Sequence, residues 1–149
     1  MRRLTISIFL MTFALTLWAS KDETVAELKS RFEKARPEDR PELAIRIAQR
    51  QLHEADTLYG KGDAEGARAA VDDVVTYSEK ARDAATQTRK HLKNVEIDVR
   101  KMAEKLRDIK RTLAFEDQPP VEQAVRRLED IRTTLLKEMF AKEDKKEKP

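Results

Sequence analysis

The chain has no cysteine. That excludes a disulfide, a thiolate metal site, a thiol nucleophile and a lipid-bearing cysteine. The fold must therefore stand on apolar contacts. Only three glycines occur in 149 residues, all between positions 60 and 66, and they match neither a P-loop nor a dinucleotide fingerprint. Aromatics make up 5% of the chain, and none falls between residues 89 and 111, where base stacking on a basic stretch would need them. Charge of one sign is also lacking. The formal net charge is +3, and without Arg2 and Arg3 the balance is 29 basic against 28 acidic residues. That near-neutrality argues against a nucleic-acid partner. After residue 20 serine occurs only at Ser30 and Ser78, which gives a serine nucleophile little support. No enzymatic activity and no cofactor are expected.

An uncharged, mostly apolar stretch covers residues 4–18, short of the ~20 apolar residues that span a bilayer as a helix. Arg2 and Arg3 precede it, small Ala19 and Ser20 follow, and Lys21-Asp22-Glu23 restores charge. This layout predicts a secretory signal peptide over residues 1–20. The protein is then expected to be exported, to the periplasm in a Gram-negative bacterium and otherwise to the medium. Cleavage competes with retention of the leader as an anchor, because Leu17 and Trp18 crowd the cleavage site.

What is abundant is charge, at 40% of the residues, laid over a helical rhythm. Ala67, Val71, Val74, Ser78, Ala81, Ala85, Thr88, Leu92, Val95, Val99, Met102, Leu106, Ile109 and Leu113 alternate spacings of four and three, and none is charged. No proline or glycine interrupts them. The pattern predicts one helix over residues 64–113 with a narrow seam, about 75 Å long. Shorter helices are expected at 24–35, 41–59 and 120–140. Thr24 and Glu27 fit a capping box, Gly60 suits a left-handed helix end and Asp63 an N-cap. Pro119-Pro120 marks a turn, and residues 142–149, nearly all charged, read as a disordered tail.

The predicted fold is therefore all-α: an elongated antiparallel helical bundle or coiled coil around one long central helix, spanning residues 21–141. Two small bundles would share that spine, with a waist near residues 85–91 that neither short helix covers.

Ala48, Ala55, Leu58, Tyr59, Gly62-Asp63, Ala67 and Ala70 give residues 44–81 a pattern that resembles a tetratricopeptide-like helical hairpin. The resemblance covers about a quarter of the chain, and no second repeat follows at the family's period. It implies hairpin packing and peptide or protein binding. It transfers no site residues.

Two surfaces are candidates for partners. The seam residues Leu92, Val95, Val99, Met102, Leu106, Ile109 and Leu113 form a narrow stripe expected to exceed what the last helix alone covers, which invites a protein partner or self-association. Arg89, Lys90, Lys93, Arg100, Lys101, Lys105, Arg107, Lys110 and Arg111 outnumber the four acids of the same stretch, while residues 53–80 carry seven acids and three bases. A rod so charged would be a dipole, and its basic half is a candidate for an anionic membrane surface or envelope polymer. His53, Glu54 and Asp56 form the one close histidine–carboxylate group, and Asp72-Asp73 with Glu79 an acidic patch. Both read as solvated helix faces, since a metal site needs a further ligand or a loop that is absent. The leading functional expectation is a non-enzymatic scaffold or adaptor working through protein contacts. A holdase-type periplasmic chaperone and a binder of anionic surfaces through residues 89–111 are the alternatives.

Overall fold

A computed structural model describes residues 23–141. The signal peptide expected at 1–20 and the tail expected at 142–149 lie outside the described residues. Within them the chain is all-α: α1 (Val25–Lys34), α2 (Arg40–Gly60), α3 (Ala64–Thr88), α4 (Leu92–Thr112), a 3-10 turn (Phe115–Asp117) and α5 (Gln118–Phe140). None of these helices is long and apolar enough to cross a membrane.

Local chemistry starts and stops most of them. Thr24 and Glu27 close the capping box, with Glu27 N–H donating to Thr24 Oγ1 at 3.2 Å and Thr24 N–H to Glu27 Oε2 at 2.8 Å. At the end of α2 the left-handed residue is Gly62 (φ 79°), not Gly60. Asp63 N–H then reaches Leu58 O and Gly62 N–H reaches Tyr59 O, the paired bonds of a Schellman end. Asp63 Oδ1 accepts from Gly66 N–H and starts α3.

The fifty-residue rod is not formed. The helix breaks between Thr88 and Leu92, where Arg89 (φ 57°) and His91 (φ 63°) are both left-handed. The signal is weak because neither residue is glycine. Thr88 Oγ1 holds the break, donating to Ala84 O and accepting from Lys90 N–H. Arg89 then hooks onto the last turn of α5, pairing with the Glu138 carboxylate and donating to Glu138 O, a cation at a helix C-terminus.

The break lets α4 fold back beside α2. The hairpins α2/α3 and α4/α5 pack side by side, so α3 runs parallel to α5 and α2 parallel to α4. Arg68–Asp117, Arg127–Glu79 and Arg89–Glu138 step along the α3/α5 contact at matched heights. Lys105–Asp56 does the same between α4 and α2. One apolar core joins all five helices, not two bundles on a spine. Of the fourteen rhythmic positions twelve are buried, and Thr88 and Leu113 are half-buried. The inward face was read correctly; its continuity as one rod was not.

Energetics favours the fold-back. Two non-glycine residues in the left-handed region cost roughly 1–2 kcal/mol each. Burying a valine or leucine side chain gains about 1.5–3 kcal/mol, and Val99, Leu106, Leu128 and Leu135 are all fully buried. A two-helix seam leaves one side of such residues open to water. Small side chains set the spacing of α2 against α3, where Ala44, Ala48, Ala55, Ala67, Ala81 and Ala85 are fully enclosed.

The break has a signed test. His91→Gly relieves a left-handed side-chain clash and should raise the thermal midpoint by about 2–4 °C, or roughly 0.5–1 kcal/mol. Inside a continuous helix the same change would cost about 1 kcal/mol. A fall in the midpoint would restore the rod.

Candidate functional site

The seam offered as a partner surface belongs to the core. Leu92, Val95, Val99, Met102, Leu106 and Ile109 are buried, and Leu113 is half-buried against the same cluster. The protein's own α5, α2 and α3 cover the stripe, so it is not open to another chain. The reason is the break itself: folded back, α4 meets three neighbours where a rod would have met one.

The basic stretch is also largely occupied. Arg107 meets Glu129 at 2.7 Å, Lys110 meets Glu122, Lys105 meets Asp56, Arg100 meets Glu104, Arg111 meets Asp108 and Arg89 meets Glu138. Lys90, Lys93 and Lys101 are exposed and have no carboxylate partner among the described residues. The expected dipole along a rod is lost, because basic α4 lies beside the acidic part of α2 and against the carboxylates of α5.

Asp56, Asp73 and Glu79 have structural partners. Asp73 accepts from Lys29 Nζ at 2.7 Å and from Gln51 Nε2. That hydrogen bond raises the Lys29 pKa above its ordinary value, against the opposing effect of burial. Glu79 binds Arg127 and Asp56 binds Lys105, while His53 stands exposed on α2. No group of three or more metal-ligating side chains occurs among the described residues.

Sequence reasoning missed a buried carboxylate. Glu96 on α4 is 8% exposed and accepts from Arg132 Nε at 2.6 Å; Arg132 also reaches Glu129, which Arg107 holds. The Arg132 pKa is raised by the Glu96 hydrogen bond. Glu96 flanks the seam one residue after Val95, a placement that looks solvated until α5 is laid over it.

The second missed feature is at the opposite end of the bundle from the α3–α4 break. Phe115 is 85% exposed, in the 3-10 turn between α4 and α5. The turn is braced on both sides. Asp117 accepts from Arg68 at 2.7 Å, tying it to α3, and Gln118 Nε2 donates to Leu113 O at 3.1 Å. Leu58 and Tyr59 near the end of α2, and Leu113 just after α4, are half-buried and pack against the core. Burial pushes the Tyr59 phenol above its usual pKa, with Arg68 opposing and Asp117 and Asp72 adding to the rise. Its hydroxyl is enclosed with no hydrogen-bond partner among the described residues.

Three residues beyond Asp117 a groove of about 290 Å³ opens between α3 and α5, lined by Asp72, Val75, Thr76, Glu79, Pro120, Gln123, Ala124 and Arg127. The arrangement is an aromatic ring on a rigid corner, next to a shallow mixed groove. It has the materials of a contact surface: a ring to bury, polar groups at the rim, and a backbone already ordered. Comparison with protein-family models, with curated proteins and with solved structures finds no match.

Proposed function

We propose that the chain is an exported, non-enzymatic helical adaptor that works by protein–protein contact, with Phe115 as its anchor. The observation that carries the reading is a phenylalanine 85% exposed on a turn pinned by Asp117–Arg68 and by Gln118. Aromatic side chains dominate interface energetics when they enter a partner's pocket, and a preordered turn spares the cost of fixing them. Export is supported by the Arg2-Arg3 start, the uncharged run over residues 4–18 and the small residues after it. The resemblance of residues 44–81 to a tetratricopeptide-like hairpin supports the same use, since it implies a frame for binding peptides or proteins. A holdase-type chaperone would need an exposed apolar groove for its clients, and the buried seam does not add support for one.

A photo-crosslinking residue at exposed Glu116, expressed in the native cell, tests this. A discrete protein adduct is expected, lost on Phe115→Ala and kept on Phe115→Trp, with the thermal midpoint unchanged to within about 2 °C because the ring touches little of its own protein. Adduct formation indifferent to Phe115→Ala would overturn the reading.

A further inference from the structure

The end of the bundle opposite Phe115 has a different chemistry. There the α3–α4 break sits against the last turn of α5, locked by Arg89 on the Glu138 carboxylate and carbonyl. Lys90 stands exposed in the break, Lys93 in the first turn of α4 and Lys137 in the last turn of α5. None of the three has a carboxylate partner among the described residues, and Glu138, the acid at this spot, is already held by Arg89. Glu42, across the adjoining groove from His91, is held by Arg46; Asp98 lies more than a helical turn along α4 from Lys93. At the end of the same helix as Lys137, Phe140 is 57% exposed, and Leu136 and Met139 before it are only half-buried.

We infer that this end, which carries exposed Phe140 together with Lys90, Lys93 and Lys137, docks the protein on an anionic lipid surface. The lysines supply attraction to phosphate headgroups, and the ring supplies apolar area that settles at the headgroup boundary. A soluble acidic polymer would satisfy the lysines but give Phe140, Met139 and Leu136 nothing to bury against. The opposite end lacks this balance: Phe115 is followed by Glu116 and Asp117, and the neighbouring turn carries Asp63 and Glu65 beside Lys61. The lipid surface and the Phe115 anchor therefore lie at opposite ends, and the inference does not depend on the adaptor reading.

The absence of cysteine makes the test direct. A single polarity-sensitive dye is placed at exposed Ala141 (Ala141→Cys) or at exposed Ala114 (Ala114→Cys) in the full chain. With vesicles containing about one-third phosphatidylglycerol, the dye at 141 should shift to the blue and the dye at 114 should not. The shift should fade in half-molar salt, where the Debye length falls to a few ångströms, and be missing on neutral vesicles. Lys90→Gln, Lys93→Gln and Lys137→Gln together should weaken binding by about a hundredfold, at roughly fivefold for each lysine near the surface. Phe115→Ala should leave binding unchanged, which separates this inference from the adaptor reading. A silent dye at 141, an equal response on neutral vesicles, a response to polyglutamate alone, or binding that survives the triple change would overturn it.

Discussion

Leu106→Asp is expected to unfold the entire described chain, not the α4/α5 half alone. Leu106 is fully buried and belongs to the one apolar cluster that also holds Ile47, Val74, Leu128 and Leu135. Removing the leucine side chain costs about 3–5 kcal/mol by analogy with leucine-to-alanine changes. The aspartate then faces a site without a cationic partner, and burying an unpaired carboxylate adds more. The sum rivals the ~5–15 kcal/mol by which small domains are stable. Were the molecule two bundles on a rod, the α2/α3 hairpin would survive. Amide exchange separates the two outcomes: protection in α2 and α3 should vanish together with that in α4 and α5. An α2/α3 hairpin that keeps its native protection would sink the single-core description. Leu106→Ala, milder by the missing charge, should leave the fold intact with its stability lowered by about 3–5 kcal/mol.

That test turns on where the sequence was readable and where it was not. Helix ends set by local chemistry were legible: the Thr24 and Glu27 box, the Asp63 cap, and the proline-marked start of α5. Inward faces were legible too, because the four-three spacing is fixed by residues per turn and each helix must bury one stripe. The break at residues 89–91 was not. Thr88 and Leu92 keep a spacing of four, so the rhythm passes through the turn as if the helix continued. Neither Arg89 nor His91 announces a left-handed backbone. Of the ties that hold the break, the Thr88 bond to Ala84 O is one a helical threonine also makes, and Arg89 on Glu138 is tertiary, forty-nine positions away. The one sequence hint was the uncovered waist at residues 85–91, which is where the chain reverses.

The candidate surfaces failed for the same reason. A stripe such as Leu106 or Ile109 looks available to a partner only while the number of covering helices is undercounted. The lysines and arginines of α4 look like one patch until Glu129, Glu122 and Asp56 arrive from helices distant in sequence. Phe115 escaped because an isolated aromatic in a polar turn has no periodic neighbours to mark it. Phe140 escaped because it closes a helix whose face is defined by earlier residues.

Phe32→Ala should release α1 while leaving α2–α5 folded. Helix α1 has ten residues and buries two large side chains, Leu28 and Phe32. A helix that short does not persist alone in water, so its order depends on that docking. Phe32 lies edge-on to Tyr77 with ring centroids 5.9 Å apart, Lys80 Nζ sits over both rings, and the Arg40 guanidinium is 5.8 Å from the Phe32 centroid. Truncating a buried phenylalanine costs about 3–5 kcal/mol, and the loss falls on the element with least other support. The remaining ties are weaker. Lys29–Asp73 is a part-exposed pair, worth about 1 kcal/mol or less, and Arg40 donates to Ala35 O at the hinge. Amides of residues 28–34 should then exchange at nearly unfolded rates while those of α3 and α5 stay protected. Lys29→Met, which removes the ion pair and keeps Phe32, should leave α1 protected. If α2–α5 lost protection in step with α1, α1 would be part of the cooperative core; if α1 stayed protected, Leu28 with its half-buried neighbours Val25 and Ala35 would suffice to anchor it. The expected middle course follows from the topology: Pro37 and the short link from Ala35 to Asp39 join α1 to a four-helix unit whose own stripes already face one another.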